Sequence, residues 1–475
     1  MSGEKNTCCC SDCQCGKNCQ CVHPNDCKSE KIKLNNCPRI CSNTCVKVYK
    51  CCPCSTSQAD DKCCSCSPNQ LEDCCVPQCD CCPCPQKEDI LKSLLSPLTN
   101  VKSNHVVIGV SDIDSLRRAL AHKGPRRVIF ANLPKPGPGN VGVILRVHDH
   151  EDLLIEHGDL ELDGSYAKYP VTIYGAKLQI ENTENVTIKN VRIRLGAAGF
   201  WRQEKDKKPR TEREAIEIVK SKDITIEHCS LSWGTDETLT VVSSKRIFLN
   251  HNIISEPLNC PKDPNGDWLH SEKNPHGYSV LIRGSEVVMT NNLIAHSLRR
   301  HPSVSPDGKY PIKVLVCNNL IHGYGDFGTK YNAGSESPDD KTSSYLSIIG
   351  NYYGHDNDDH GPEIEIEYPN KNWRLKLYKK DNYAEQQRYH RAVTKYTKHN
   401  KGKIKKKDKY NLLEEYDMKA IPAKEVKDFV LAEVGAFLPY REAIDLRIIK
   451  EVQDKKTHLI DHESEIPEHR YYPQA

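Results

Sequence analysis

Nine-residue units with alternating apolar and polar positions recur along the middle of the chain. They read NVTIKNVRI at 185–193, DITIEHCSL at 223–231, RIFLNHNII at 246–254 and EVVMTNNLI at 286–294. Weaker copies are KVLVCNNLI at 313–321 and YLSIIGNYY at 345–353. Alternation with period two marks strands rather than helices. In this alignment Cys229, Asn252, Asn292, Asn319 and Asn351 share one position, 23, 40, 27 and 32 residues apart. The shortest step fits one turn of a coil of three short strands, and the longer steps are turns that carry loops. Units of this size cannot bury an apolar face alone, so they stack into a solenoid. The fold class expected is all-β, a right-handed parallel β-helix. Stacking places the Asn side chains at the same bend of successive turns, where their amides can bond along the stack. A β-sandwich of hairpins is the competing reading, but the Asn-Gly and Asp-Gly turns it needs between these strands are missing.

Ahead of the repeats, residues 87–104 read as a short helix and a linker. Residues 115–122 (SLRRALAH) carry helical apolar spacing and stop at Gly124-Pro125. Residues 127–130 (RVIF) read as a strand. Residues 370–420 show no repeat.

Composition divides the chain. Of 26 cysteines in 475 residues, 23 lie in residues 1–86, and the rest are Cys229, Cys260 and Cys317. The arm therefore stands apart from a nearly Cys-free body. Its start shows no basic stretch followed by an apolar one, so no ordinary secretory signal is read and a reducing, intracellular setting is the default. There, dense thiols read as metal ligands before disulfides. The clusters are Cys8, Cys9, Cys10; Cys13, Cys15; Cys19, Cys21; Cys51, Cys52, Cys54; Cys63, Cys64, Cys66; and Cys81, Cys82, Cys84. Such thiolates can share soft Zn²⁺ or Cu⁺, and the arm resembles metallothionein in composition alone. Disulfides after unconventional export, or a disordered tail, are the alternatives. The net charge of +3, from 67 basic and 64 acidic side chains, marks no nucleic-acid binder. Mean hydropathy is −0.65. No run of about 18 apolar residues is present to span a membrane.

Residues 105–467 resemble the parallel β-helix pectate lyases, in particular the bacterial secreted type with an SW-x-T-D-E segment. The stretches that carry the resemblance are SLRRAL at 115–120, GPRRVIF at 124–130, VTIYG at 171–175 and NVTIKNVRIR at 185–194. The most specific is IEHCSLSWGTDE at 226–237. It is followed by IISEPL at 253–258, HGYSVLI at 276–282, NNLIAHSLRRHP at 291–302 and CNNLI at 317–321. VLAEVGA at 430–436 and REAID at 441–445 match that type's closing segment. The chain is thus read as a Cys-rich arm at 1–86, a linker at 87–104 and a β-helix at 105–467 with a basic insertion near 370–420.

The resemblance implies β-elimination on a polyuronate, an acidic polysaccharide. The substrate C5 proton is weakly acidic, and a Ca²⁺ on the adjoining carboxylate stabilises the enolate-like intermediate. By resemblance the base is Arg300, in Arg300-His301-Pro302. The calcium ligands are Glu214, where the family carries Asp, and Asp236, with Glu237 beside it. A second carboxylate found four residues after Asp236 in some relatives is Thr240 here. Ser303 stands where relatives often carry a further Arg. Arg299, His296 and Trp233 are candidate substrate contacts, with Arg299 expected on the opposite face if its stretch is extended. A packing role competes for Trp233 and is preferred for His301. His296 and His301 are candidates to titrate near neutral pH. The basic run 401–409, with tyrosines before it, reads as a solvated loop or as a contact for an acidic partner. A non-catalytic glycan-binding or structural β-helix is the alternative function.

Overall fold

The computed structural model describes residues 105–472 other than 138–141, 149–150, 198–212, 263–274, 308–310, 334–342, 357–359, 368–373, 388–389, 398–402 and 406–409; for 403–405 it describes the backbone alone. The chain divides into Met1–Ile90 and Leu91–Ala475, and every described residue belongs to the second unit. The cysteine clusters of the arm lie outside the described residues.

The alternating units pair in parallel, each with its counterpart in the next coil, and so build a parallel β-helix. One stack runs through Val106–Val110, Arg126–Phe130, Leu160–Asp163, Glu184–Lys189 and Lys222–Glu227. A second begins Leu153–Ile155, Leu178–Glu181, Ile216–Val219. The long strands Glu237–Asn250 and Tyr278–Thr290 run through both stacks and join them. The third is a nine-stranded sheet from Val143–Arg146 to Tyr383–Ala384. Between the sheets, like residues lie on like. Ile188, Ile226, Leu249, Met289, Val316 and Ile348 are consecutive register partners, all at most 1% exposed. Each such side chain contributes about 1.5–3 kcal/mol of burial.

The bend before the third sheet carries the expected ladder. The Asn252 Oδ1 accepts from the Cys229 N–H at 2.9 Å, and its amide donates to Asn292 Oδ1 at 2.9 Å. The pattern repeats from Asn292 to Asn319, from Asn319 to Asn351 and from Asn351 to Asn382, a further rung. Each ladder residue follows one with positive φ: His228, His251, Asn291, Asn318, Gly350 and Asp381. Only Asn351 follows a glycine, and Gly350 takes that left-handed turn at φ 64° without a Cβ penalty. This explains the Asn-Asn doublets. The first Asn tolerates the left-handed turn and the second forms the rung.

The helix expected at 115–122 is α1, Ile113–Ala121. Asp112 caps it, with a reciprocal bond from Ser115, which moves its start two residues earlier. The buried Arg126 guanidinium donates to the carbonyls of Ala119 and Leu120, satisfying the end of the helix. Leu116, Ala119 and Leu120 then close one end of the core.

The stretch 370–420 does repeat, contrary to the reading of an insertion. Arg374–Lys380 pairs with Ser343–Ile349, Tyr383–Ala384 with Tyr352–Gly354, and Thr394–Thr397 with Ile364–Glu367. Lys403–Lys405 adds one strand more. In Arg374–Lys380 the Lys and Arg side chains are exposed or half-buried and Leu375 and Leu377 are buried, so the coil continues beneath a polar composition. A short helix, α2 at Leu412–Glu415, follows.

The closing segment covers the outer face of the third sheet. Val426–Glu433 (α3) and Ala443–Gln453 (α4) bury Val430, Val434, Ile448 and Val452 against Ile253, Leu293, Leu320 and Tyr352. A buried charge network fixes this cover. Arg194, fully buried, donates to Glu442 and Asp445 at 2.6 Å each and to Ser230 and Ser232. Among the described residues, no helix is long and apolar enough to cross a membrane.

Asn292 accepts from Asn252 and donates to the carbonyls of Leu249 and Thr290 and to Asn319. Replacing it by Ala strands several buried groups and is expected to cost about 2–4 kcal/mol. Asn382→Ala, at the half-buried end, is expected to cost about 1 kcal/mol. Urea denaturation of the two variants checks the order, and an equal loss would contradict the ladder's role.

Candidate functional site

The SWGTDE segment makes a tight turn between the third sheet and the next coil. A Cβ on Gly234 would lie 2.3 Å from the Glu237 carbonyl oxygen, so only glycine permits the approach. The carbonyl of Arg213 accepts from the N–H groups of Thr235 (2.8 Å) and Asp236 (3.3 Å). Ala215 N–H donates to the Thr238 carbonyl at 3.0 Å. These bonds hold Glu214 and the pair Asp236–Glu237 in adjoining coils. Their carboxylate oxygens all lie within 4.8 Å of one another.

Glu214 and Glu237 are buried, and Asp236 is half-exposed. Burial pushes the Glu214 carboxyl up to about 8; Lys177 draws it down, while Glu217 and Asp236 push it further up. The Lys177 ammonium is 3.7 Å from Glu214 and pairs more closely with Glu217. Glu217 is the register partner of Thr240. The missing carboxylate at Thr240, itself buried, is thus flanked by one from the preceding coil.

Arg300 closes the cluster from a later coil. Its guanidinium forms an ion pair with Glu237 and sits over the Tyr278 ring, 3.9 Å from the centroid. Burial lowers its hold on its proton and Asp236 raises it, with a net lowering. The Arg300 backbone is left-handed, at φ 69°. Arg299 bridges to Tyr278 through the backbone, and its side chain pairs with Asp326. His276 stacks on Tyr278 at 5.0 Å between centroids, with its Nδ1 3.5 Å from Asp236.

No family model matches the chain. In sequence it is similar to proteins named probable pectate lyase C. That of Aspergillus terreus is 27% identical over 185 residues, 38% of this chain and 36% of that one. That of Aspergillus flavus is 24% identical over 241 residues, 50% of this chain and 46% of that one. Over that segment the chain is related in sequence to the pectate lyases. It spans less than half the length of these relatives. Among solved structures, a thermostable pectate lyase is 15% identical with a TM-score of 0.46, covering 70% of this chain and 92% of that one.

The pectate lyase resemblance named seven residues of the body for a site, and five converge: Glu214, Asp236, Glu237, Arg299 and Arg300. Two do not. Trp233 is fully buried under the closing segment, edge-on to Tyr174, His469 and Tyr472, with its N–H toward Glu256. It offers no face to a sugar. His296 is likewise buried beneath α4, 3.3 Å from Glu451, and accepts from the His458 N–H. It packs against the cover rather than facing the cluster. His301 is buried too, bonded to Ser297 and the Phe327 carbonyl, as the packing reading required. A second group of candidate metal ligands, Glu256, Glu451 and His458, is bridged by Arg447 at 2.7 and 3.0 Å and belongs to this cover. Lys177, Glu217 and Tyr278 escaped the motif reading. Glu217 left a signal, a carboxylate three residues after Glu214 in an otherwise apolar strand.

The buried histidines are not near-neutral switches. Burial pushes His301 down to about 3 and His251 and His322 to about 4, and His296 well below its ordinary value. The ordinary imidazole value near 6.5 applies to the unfolded chain. Above that pH neither state binds these protons, so their stabilising contribution is fully present. As pH falls from 6.5 toward 4, the unfolded chain takes up protons the folded chain refuses, and stability falls. The expected loss is about 1.4 kcal/mol per pH unit for each histidine charged only when unfolded. Urea midpoints at pH 7.5 and pH 5 test this; an unchanged midpoint would refute it.

Proposed function

We propose that this chain is a Ca²⁺-dependent lyase that cleaves a polyuronate such as polygalacturonate by β-elimination. The observation that carries the reading is the meeting of Glu214, Asp236 and Glu237 with the Arg300 guanidinium. The sequence relation to proteins named pectate lyase supports it. The donor set fits a hard cation, because carboxylate oxygens are the ligands Ca²⁺ takes. Burial first, and then the neighbouring Glu217 and Asp236, raise the Glu214 carboxyl, and a cation bound there would supply counter-charge to it. Glu214, Asp236 and Glu237 would hold the ion. Bound there, Ca²⁺ withdraws charge from the substrate carboxylate and acidifies C5–H.

The chain's own groups do the rest. Arg299 and Lys177 offer positive charge to neighbouring uronate carboxylates. Arg300 receives the C5 proton on a guanidinium nitrogen that has first given up its own. Its burial favours that deprotonated form. The C5–H electron pair becomes the C4–C5 double bond, and the C4–O bond breaks with protonation of the leaving oxygen.

A second reading, glycan binding without turnover, rests on specific observations. Thr240 is not a carboxylate, Ser303 is not a cation, and Glu237 neutralises Arg300. Absorbance of the unsaturated uronide decides between them. The wild-type protein is expected to form product from polygalacturonate with Ca²⁺ and none with a chelator. Arg300→Ala should lower the rate about 10²–10⁴-fold while its circular dichroism still shows the folded β-helix. No product from neutral to alkaline pH would sink the lyase reading, and Ca²⁺-dependent binding alone would then favour the second. At 100 times its Kd, Ca²⁺ should stabilise the fold by about 2.7 kcal/mol, a gain that Glu214→Gln loses.

For the arm at 1–86, soft-metal binding by clustered thiolates remains the proposal, motivated by 23 cysteines without an apolar core. Native mass spectrometry of the reduced protein should show bound Zn²⁺ or Cu⁺; a metal-free mass would refute it.

A further inference from the structure

We propose that Tyr278 is the positioning residue of this site, a ring that orders Arg300 above the carboxylates. For its kinetic consequence the inference rests on the lyase reading; for the geometry it does not.

Tyr278 opens the strand Tyr278–Thr290 and is the register partner of Glu237 on one side and bridges to Arg299 on the other. Its N–H donates to the Asp236 carbonyl at 3.3 Å. The next two N–H groups, of Ser279 and Val280, donate to the carbonyls of Arg299 and Arg300 at 3.1 and 2.8 Å. The ring therefore lies between the coil that carries the carboxylates and the coil that carries the arginines. Neighbouring strands are about 4.8 Å apart, so Arg300 must cross one full rung to reach Glu237. The Tyr278 face fills that rung. The guanidinium carbon at 3.9 Å from the centroid is in cation–π contact. His276 packs against the same ring and reaches Asp236.

The surroundings mark this ring off from an ordinary core aromatic. Tyr278 is only 4% exposed, yet it belongs to none of the apolar clusters. Its neighbours are Arg299, Arg300, His276 and the acidic groups. Burial here serves charged groups rather than hydrophobic packing. A guanidinium held by a single carboxylate could swing about that contact; held also by a ring face, its plane is set.

The full-length wild type, Tyr278→Phe and Tyr278→Leu test the assignment, with melting temperatures to confirm folding. The first readout needs no activity. The Arg300 side-chain N–H resonance, assigned by its loss in Arg300→Lys, should carry a ring-current shift in the wild type and Tyr278→Phe. In Tyr278→Leu it should move to the position of an ordinary exposed arginine. The second readout is kinetic. Tyr278→Leu should lower kcat about 10²-fold, the cost of a misplacement near 1 Å. Tyr278→Phe, which keeps the ring face, should recover that kcat. An Arg300 resonance unmoved by Tyr278→Leu would overturn the proposal, as would equal loss of kcat in both variants. If the wild type cleaves no polyuronate, the lyase reading falls, and the resonance still decides whether Tyr278 positions Arg300.

Discussion

Register between coils is the constraint on which the rest of this structure depends, and the Asn ladder enforces it. Glu214, Glu237, Tyr278 and Arg299 come from separated parts of the sequence and meet because each sits at the same point of its coil. A strand has a side-chain period of two, so a slip of one residue would send every partner to the other face. Apolar stacking resists large slips but discriminates poorly among Ile, Leu, Val and Met. The buried amide is stricter. Asn252, Asn292, Asn319 and Asn351 each have donors and acceptor satisfied only when the next coil places its own Asn opposite. A shifted coil leaves these groups unpaired in a dry interior, where each costs about 1–3 kcal/mol.

Charge is treated in two different ways on the two sides of this scaffold. Beneath the closing segment, each buried ion meets its counter-ions. Arg194 faces Glu442 and Asp445, and Arg447 faces Glu256, Glu451 and Glu468. Removing one member would strand the other, so these networks tie the cover to one position. At the site the accounts do not close. Glu214, Glu217, Asp236 and Glu237 face Lys177 and Arg300, and burial, with Glu217 and Asp236 beside it, raises the Glu214 carboxyl. An unneutralised acidic cluster held this firmly works against stability. That contrast, rather than the presence of acidic residues, separates the site from the cover.

What was legible in the sequence follows the same division. The ladder could be read because one residue type does one job at one bend, and the alternating strands because their inner positions are almost all aliphatic. Residues 370–420 could not be read as coil, because at Arg374–Lys380 only Leu375 and Leu377 point to the core and the rest is polar. At the site, motif order located the carboxylates and Arg300. It misplaced Trp233 and His296 because burial under α3 and α4 comes from a segment some 150 residues or more away, invisible to any local pattern. Tyr278 stood inside the matched HGYSVLI stretch, but that stretch gave it no role, since its proposed role arises from lying between two coils.

The ion pair between Glu237 and Arg300 links the two halves of the proposed chemistry. A guanidinium is a poor base because it holds its proton so tightly. Burial weakens that hold, Asp236 strengthens it, and burial prevails, while Glu237 is the carboxylate paired with it. Any shift of Glu237 charge toward another cation therefore weakens the Arg300 counter-ion without exposing Arg300 to water. The guanidinium is then left partly desolvated over an aromatic face. The ring keeps it in place but compensates much less than a carboxylate does. In this arrangement the same carboxylate restrains Arg300 when the cluster is uncompensated and releases its proton affinity downward when the cluster is satisfied. The proton affinity of the proposed base and the cation affinity of the carboxylates are consequently one linked quantity, with Glu237 as the shared term.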